Sequence, residues 1–500
     1  MTNLGITKVD ETSLRIVSND SGILMELSEH FTFYAEGYKF MPAVRNKMWD
    51  GKVRLYDSRT GRLPYGLLFE VLKFANSHGY SYELHTSITE RDVPTSQSLL
   101  DYANSLHITG GGTRITPRDY QLGAYTHACT EGRSLVISPT GSGKSLIIYL
   151  CVRWFLEHYD QKILIVVPTT SLVEQMTKDF ADYSQHDSSF DVDSEVHKIY
   201  SGKEKHNIES RVIITTWQSA ITLQKSWFKS YGMVIGDEAH LFKAKSLNTI
   251  MSACVNACYR IGTTGTLDGS VCNERVLVGN FGPTHRVITT KELIDNDTLA
   301  ALKIKCIVCN HADELKKVIS KADYQTEIDA IVTHTGRNSF IANLALDQKG
   351  NTLILFNLVQ KHGKPLFELI SSINGDSDRH IFYVSGEVDA TNREHIRELT
   401  ETQNNAIIVA SVGTFSTGIN IKNLHQIIFA APTKSQIRVL QSIGRGLRKS
   451  DDGRPTTVYD ISDNFSWKKK KNYTLQHAIE RTKMYAKEGF NYKLYEIPLQ

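Results

Sequence analysis

The stretch "SLVISPTGSGKS", residues 134–145, places a glycine-rich turn between two apolar segments and decides the fold class of this 500-residue chain. "SLVIS" has the composition of a buried strand, and "SLIIYLCVRWFL" after the turn has the length and apolar content of a buried helix. A turn of this kind directs backbone N–H groups and the positive end of the helix dipole at a phosphate group. The stretch predicts a phosphate-binding loop, although Ser138 stands where the general pattern has its first glycine. The alternative is a glycine-rich turn that binds nothing.

The side chains of this loop have separate predicted tasks. Lys144 is expected to reach the β- and γ-phosphates of a nucleoside triphosphate, and the Ser145 hydroxyl is expected to bind Mg²⁺. The rest of the loop is expected to surround the phosphates with its backbone; it consists of Thr140, Gly141, Ser142 and Gly143. ATP and Mg²⁺ are therefore the expected cofactors.

A second apolar run, "MVIGDEAH" at residues 233–240, ends in two consecutive carboxylates. Asp237 is predicted to bind Mg²⁺, and Glu238 is predicted to orient and deprotonate the attacking water. Alone, the tetrapeptide "DEAH", residues 237–240, could be an ordinary solvated loop. It follows Lys144 by 93 residues and by a series of strand-like segments, so together the two stretches predict a nucleotide-hydrolysing core.

Apolar runs of strand length alternate with helical patterns from residue 111 onward. Examples are "ILIVVP", "VIITT", "TLILF" and "AIIVAS", which suit strands buried on both faces of a parallel sheet. The runs form two sets that divide near residue 285. We predict an α/β protein with a small α/β nucleic-acid-binding domain at 1–110, a first lobe at 111–285, and a second lobe at 286–500 that ends in a basic helical tail.

Composition excludes a membrane-spanning protein. No apolar run approaches the ~20 residues that a membrane span requires, and the seven cysteines are scattered, which indicates a reducing compartment. We expect a cytoplasmic protein. The net charge of +3 does not by itself indicate a nucleic-acid partner, so local clusters of charge are more informative.

Further motifs occur in the order found in superfamily 2 helicases of the DEAH-box type, which this sequence resembles. The resemblance implies two RecA-like lobes that close on ATP and an ATP-driven motor that moves along nucleic acid. "RDYQ" resembles the adenine-reading motif, with Arg118 stacking on the base and Gln121 reading its edge. "VPTTSLVEQM" and "TTWQSA" resemble motifs that contact strand phosphates, which implies contacts from Thr169 and Thr216.

The remaining motifs of the resemblance concern coupling and the second lobe. "TTGT" resembles the motif that couples hydrolysis to movement, and "SVGTFSTGINI" resembles motif V. Together with the DEAH histidine, these motifs imply coupling roles for His240, Thr264, Thr266 and Gly418, and a strand contact from Thr417.

"QSIGRGLRKS", residues 441–450, resembles the motif that supplies arginine fingers. Arg445 and Arg448 are three residues apart, about one helical turn, so both can point at one γ-phosphate. Gln441 lies one turn earlier on the same face. The resemblance implies that all three take part in catalysis.

Residues 46–57, "NKMWDGKVRLYD", lie in a basic region, with seven basic and two acidic residues between positions 39 and 62. Asp50–Gly51 is a strong two-residue hairpin signal. If it forms the turn, alternation places one set of side chains on a single face suited to phosphate contact and base stacking: Arg45, Lys47, Trp49, Lys52, Arg54 and Tyr56. The alternative is a solvated strand face with Trp49 packed on a neighbouring lobe. A register slip of one residue would scatter the charges.

The combination of this basic module with a DEAH-box core resembles a family of bacteriophage recombination and repair helicases. The resemblance implies ATP-driven unwinding of branched DNA and R-loops, branch migration of four-way junctions, fork regression and 3′-to-5′ movement. It also implies DNA and RNA–DNA hybrids as partners, possible contact with single-strand-binding or recombination proteins, a monomer in solution, and the host cytoplasm as location.

Three other functions stay open on the sequence alone. An RNA helicase shares every core motif, and the motor subunit of a restriction nuclease shares the ATPase core. A nucleic-acid scaffold that uses nucleotide only as a switch is the third, and the complete set of catalytic residues argues against it.

Overall fold

The computed structural model describes residues 3–202, 204, 209–375, 377–386, 396, 403–418, 423–447 and 453–499. The chain forms two compact units, Met1–Ser138 with Ser142–Ile288, and Pro139–Gly141 with Thr289–Gln500. Our division of the first unit at residue 110 and our boundary at 285 remain predictions. In the part of the chain described, no helix is both long and apolar enough to cross a bilayer.

The N-terminal part of the first unit is a small α/β layer. Its strands are β1 (Leu4–Asp10), β2 (Ser13–Val17), β3 (Thr32–Tyr34), β4 (Lys52–Arg54), β5 (Arg62–Pro64), β6 (Tyr82–Leu84), β7 (Thr109–Gly110) and β8 (Thr113–Arg114). Four of them form a mixed sheet in the order β5-β2-β1-β6, and β3 pairs with β4 as a separate antiparallel ribbon. Alternate residues of β1 and β2 point into the core because side chains along a strand alternate between faces.

This layer packs directly on the following α/β lobe. Arg133 donates to the Glu11 carboxylate at 2.5 Å, and Arg275 pairs with Glu70. Gly66 is so close to the 278–282 backbone that a Cβ atom would lie 2.0 Å from the Val278 carbonyl oxygen. Only glycine fits at that position, so the layer and the lobe meet backbone to backbone.

A seven-stranded parallel sheet forms the rest of the first unit. Its strands are β9 (Arg133–Ile137), β10 (Lys162–Val167), β11 (Val196–Ile199), β12 (Val212–Thr216), β13 (Tyr231–Asp237), β14 (Tyr259–Thr264) and β15 (Thr284–Arg286). The spatial order is β11-β12-β10-β13-β14-β9-β15. The central strands are buried on both faces, as their unbroken apolar runs predict.

The second unit contains another seven-stranded parallel sheet. Its strands are β16 (Leu302–Asn310), β17 (Thr352–Phe356), β18 (Ile381–Val384), β19 (Ile407–Ser411), β20 (Gln426–Phe429), β21 (Thr456–Asn464) and β22 (Tyr492–Pro498). The order, β18-β19-β17-β20-β21-β16-β22, repeats that of the first sheet strand for strand. The predicted fold class, two RecA-like α/β lobes with an α/β N-terminal part, is confirmed.

Helices cover the sheets and connect their strands. In the first unit they are Ser21–His30, Pro42–Arg45, Leu68–His78, Thr86–Thr89, Ser96–Ser105, Asp119–Glu131, Lys144–His158, Thr170–Tyr183, Val192–Glu195, Trp217–Ala220, Lys245–Ala253 and Val271–Phe281. Among the described residues of the second unit they are Thr290–Asp295, Asp313–Ile319, Tyr324–Thr333, Thr335–Asp347, Lys364–Asn374, Val412–Gly418, Gln436–Gly446 and Tyr473–Lys487.

The C-terminal segment is part of the second unit's core. The sequence predicts a basic helical tail there that either braces the second lobe or adds a phosphate contact. Arg481 of helix Tyr473–Lys487 is 2% exposed; it forms a bidentate pair with Asp460 of β21 and donates to the Thr433 carbonyl at 2.7 Å. Tyr485 donates to the same carboxylate. After the helix, β22 pairs along its full length with Ile304–Asn310 of β16 and forms an edge of the sheet. The basic tail therefore braces the sheet.

Replacing Arg481 with methionine is expected to lower the free energy of unfolding of the second unit by about 3–5 kcal/mol, because it leaves a buried carboxylate without its charge partner. Lys483→Ala is the matched control, since Lys483 pairs with Glu480 on the surface and such pairs contribute ~0–1 kcal/mol. Chemical denaturation measures both. Equal midpoints for the two variants would contradict the bracing role.

Candidate nucleotide site and nucleic-acid surfaces

The predicted phosphate-binding loop connects β9 to helix Lys144–His158. Gly141 and Gly143 adopt left-handed backbone angles, with φ of +85° and +80°. At Gly143 a Cβ atom would also lie 2.3 Å from the Gln121 amide nitrogen. The two glycines are thus required by backbone conformation and, at Gly143, by close packing. The structure forms the strand, turn and helix that the sequence predicts.

Side chains from the "RDYQ" motif, residues 118–121, hydrogen-bond to the backbone of this loop. Gln121 is 4% exposed; its Nε2 donates to the Ser142 carbonyl at 2.8 Å, and its Oε1 accepts from the Arg118 backbone N–H at 2.8 Å. The Tyr120 hydroxyl donates to the same carbonyl at 3.1 Å. Gln121 therefore joins the loop to the N-terminus of helix Asp119–Glu131. That its amide also reads the adenine edge stays a prediction. Arg118 is exposed.

The two polar side chains at the start of the helix already have partners. Lys144 donates to the Ser138 carbonyl at 3.3 Å, within its own loop. The Ser145 hydroxyl lies 2.9 Å from the Tyr183 hydroxyl. Burial raises the pKa of Tyr183 to about 12, so Tyr183 stays a neutral hydroxyl. No motif marks Tyr183, and only the folded structure brings it to Ser145.

The two carboxylates follow directly from β13. Asp237, the last residue of the strand, is 8% exposed and accepts a hydrogen bond from the Thr263 hydroxyl at 2.7 Å. Burial, together with the adjacent Glu238 carboxylate, raises the pKa of Asp237, and Lys144 opposes that rise. Glu238 has a left-handed backbone, φ +51° and ψ +49°. Such a conformation costs a non-glycine residue about 1–3 kcal/mol and is concentrated at functional sites.

A chain of contacts joins the carboxylates to the "TTGT" stretch. His240 Nδ1 lies 3.3 Å from Glu238 Oε2 and 3.0 Å from the Thr264 hydroxyl, which donates to the Thr266 carbonyl. Burial lowers the pKa of His240 to about 4, so the imidazole is neutral near pH 7. The structure thus brings the predicted coupling residues of this unit into one hydrogen-bonded series.

The predicted residues of the second unit are only partly described. Gln441 and Arg445 lie on helix Gln436–Gly446, one turn apart. Thr417 and Gly418 are in helix Val412–Gly418, and the Thr417 side chain lies outside the described part of the structure. Arg448 lies outside the described residues.

Two threonines were predicted to contact strand phosphates. Thr169 is the N-cap of helix Thr170–Tyr183, and its hydroxyl accepts from the Leu172 N–H. Thr216 is 5% exposed at the end of β12, and its hydroxyl donates to Ser219. The Thr216 side chain is thus buried and bonded within its own lobe. A strand contact from Thr169 or Thr216 stays a prediction.

The predicted hairpin at Asp50–Gly51 is also wrong. β4 (Lys52–Arg54) pairs with β3 (Thr32–Tyr34), twenty residues earlier, and residues 46–51 form no strand. Gly51 has φ +78°, and a Cβ atom there would lie 2.4 Å from the Tyr38 ring. Glycine is therefore required at position 51 because the backbone is left-handed and the Tyr38 ring packs against it, and not because the chain makes a hairpin turn there.

The predicted six-residue face does not exist as such. Tyr56 is 2% exposed in the core, and Arg54 pairs with Asp50. Trp49 is half-buried and donates to the Lys52 carbonyl at 3.0 Å. Arg45 and Lys47 are exposed, and Lys52 lies 5.3 Å from the centre of the Tyr34 ring. A cleft of about 350 Å³ opens along the ribbon between residues 28 and 54, bordered by Lys52 and Arg54.

A phosphate loop, a DEAH carboxylate pair at the end of a buried strand and two matching RecA-like lobes define a superfamily 2 helicase. Residues 114–269 match the family described as Type III restriction enzyme, res subunit, and residues 336–450 match the helicase conserved C-terminal domain. Residues 7–85 match the family described as DNA helicase UvsW, N-terminal.

The sequence is 38% identical to the ATP-dependent DNA helicase UvsW of Enterobacteria phage T4, over 95% of each chain. It is 22% identical to a DNA 3′-5′ translocase of Sulfurisphaera tokodaii, over 76% of this chain and 89% of that one. The crystal structure of T4 UvsW is similar at a TM-score of 0.53 and 35% identity, over 100% of both chains. The chain belongs to the UvsW family of ATP-dependent DNA helicases.

A more distant solved structure shares only the fold with this chain. A fragment of a type I restriction enzyme subunit from Vibrio vulnificus has a TM-score of 0.58 at 17% identity, covering 89% of this chain and 78% of its own.

Proposed function

We propose that this DNA helicase acts on branched DNA and R-loops, by branch migration, fork regression and unwinding of invading strands, with 3′-to-5′ movement. The observation that carries the proposal is the UvsW-type N-terminal part at residues 7–85, packed on the ATPase lobe. The 3′-to-5′ direction is supported by the translocase relative from Sulfurisphaera tokodaii.

The roles of the nucleotide-site residues follow from their chemistry. Lys144 would exchange its contact with the Ser138 carbonyl for the β- and γ-phosphates, and the loop N–H groups would bind the remaining phosphate oxygens. Glu238, held at the strand end in its left-handed conformation, would accept a proton from the attacking water. Arg445 and Arg448 would stabilise the charge that develops on the γ-phosphate.

The residues present fit a magnesium ion. The Ser145 hydroxyl and the Asp237 carboxylate supply the oxygen ligands that Mg²⁺ prefers, and few protein ligands are needed because nucleotide phosphates complete the shell. The raised pKa of the buried Asp237 carboxyl is consistent with a site whose charge balance includes a cation. Mg²⁺ would neutralise charge on the β- and γ-phosphates.

The partners proposed for this function are branched or duplex DNA and RNA–DNA hybrids. Single-strand-binding or recombination proteins are further proposed partners. We also propose a monomer in solution, working in the host cytoplasm.

The steady-state ATPase rate with different nucleic acids tests the proposal. We expect the greatest stimulation with a synthetic four-way junction, less with single-stranded DNA, and least with single-stranded RNA, all at matched nucleotide concentration. Stimulation by RNA alone would replace the DNA assignment with an RNA helicase. Nicking of circular DNA in ATP and Mg²⁺ would instead point to a restriction motor.

A further inference from the structure

Residues 35–51, here called the tip loop, connect the paired strands β3 and β4. The ribbon pairs Tyr34 with Lys52, and the Ala35 N–H donates to the Gly51 carbonyl at 2.8 Å, which closes the base of the loop. The loop therefore projects from two paired strands and not from a flexible linker.

The tip loop is held in one conformation by its own backbone. It contains a 3₁₀ turn, Tyr38–Phe40, and a short helix, Pro42–Arg45. The Met48 and Trp49 N–H groups both donate to the Ala43 carbonyl, at 2.8 and 3.1 Å. Tyr38 stacks on Tyr34 with ring centres 4.5 Å apart and packs against Gly51. Such a loop loses little conformational entropy on binding.

Large apolar side chains of this loop point into solvent. Phe40 is 85% exposed, Met48 is 80% exposed and Met41 is 36% exposed. The core of the same layer lies elsewhere, around Leu4, Ile6 and their neighbours. A single exposed apolar residue is ordinary, but this loop of 17 residues exposes two at this level. We call Phe40 and Met48 the apolar tip.

Cations accompany the apolar tip. Lys39, Arg45 and Lys47 are exposed on the same loop. Of its two acids, Asp50 is neutralised by Arg54, which leaves Glu36. A loop that exposes both apolar side chains and cations is complementary to the apolar base faces and anionic phosphates of nucleic acid.

We propose that the tip loop inserts Phe40 and Met48 against the unstacked bases at a DNA branch point, while Arg45 and Lys47 contact the adjoining phosphates. The proposal deepens the proposed function and rests on it. Inserting an apolar side chain between two bases costs the free energy of unstacking them. That cost is smallest where pairing is already interrupted, so the same contact favours a branch over continuous duplex.

The test uses the full-length protein, a four-way junction carrying 2-aminopurine at the branch, and a linear duplex of the same sequence. The tip variant is Phe40→Ala with Met48→Ala, and Phe40→Trp keeps a stacking surface. Phe69→Ala is the matched control, because Phe69 is 61% exposed in the same layer but outside the loop. Arg45→Gln with Lys47→Gln is the charge variant.

We expect the wild type, the Phe69→Ala control and Phe40→Trp to change 2-aminopurine fluorescence on binding. The tip variant should lose that fluorescence change and bind the junction about 5- to 100-fold more weakly than the wild type. Its affinity for linear duplex should stay within about twofold of the wild-type value, because an ordinary surface substitution changes a free energy by less than ~0.5 kcal/mol. The charge variant should lower the slope of log affinity against log salt by ~2.

An unchanged junction affinity in the tip variant, or an equal loss on linear duplex, would overturn the proposal. So would a dimeric wild type that the tip variant converts to monomer without loss of junction binding, since the tip would then contact a second copy of the chain. An unchanged salt slope in the charge variant would instead count against phosphate contact by the N-terminal module. Failure of base insertion by the apolar tip and failure of phosphate contact by the N-terminal module therefore give different results.

Discussion

Replacing Lys144 with alanine is expected to lower the ATPase kcat by at least ~10²–10³-fold, the loss typical of removing one group that stabilises transition-state charge. The Lys144 ammonium is expected to reach the β- and γ-phosphates, and it donates to the Ser138 carbonyl of its own loop. DNA affinity without nucleotide should stay within about twofold, because a substitution at a site that DNA does not touch costs less than ~0.5 kcal/mol of binding. Steady-state hydrolysis and equilibrium DNA binding measure the two effects.

Lys229→Ala is the control for this prediction. Lys229 is exposed and precedes β13, at the opposite end of that strand from Asp237. It should hydrolyse ATP like the wild type. Lost DNA binding in Lys144→Ala, or retained hydrolysis, would mean that the loop has another role.

Glu238→Gln is expected to bind ATP normally and to hydrolyse it ~10²–10⁴-fold more slowly, the contribution typical of a general base. The amide keeps the size of the carboxylate but cannot take a proton from water. Single-turnover hydrolysis separates the chemical step from binding, and fluorescent-nucleotide titration gives the affinity.

Glu157→Gln is the matched control, since Glu157 is exposed near the far end of the helix that begins at Lys144. A Glu238→Gln variant that lost ATP affinity by as much as its rate would show a binding role for Glu238. A variant with normal turnover would place the base elsewhere.

The parts of the fold that the sequence predicted are those in which burial alone sets the residue pattern. Central strands such as β12 and β17 are covered on both faces and therefore appear as unbroken apolar runs. The edge strand β22 was missed because five of its seven residues in succession are exposed, "YKLYE", and leave no such run. The sequence therefore predicts the order and type of the central strands but not the edge strand β22.

The errors at the N-terminus have a tertiary cause. Asp50–Gly51 has the local chemistry of a hairpin turn, but the positive φ at Gly51 serves contact with Tyr38, thirteen residues earlier. Tyr56 alternates with cationic residues as a surface position would, yet it fills the core of the layer. Likewise, the links of Gln121 to Ser142 and of Tyr183 to Ser145 join residues 21 and 38 positions apart. No local pattern contains them.

The most direct test of a branch-directed DNA motor is single-turnover conversion of a mobile four-way junction that has no single-stranded tails, compared with a blunt linear duplex of equal length. We predict ATP-dependent conversion of the junction into its branch-migrated products, no conversion by Glu238→Gln, and an intact linear duplex. A junction left intact under conditions in which the protein hydrolyses ATP and unwinds an RNA duplex would contradict the account.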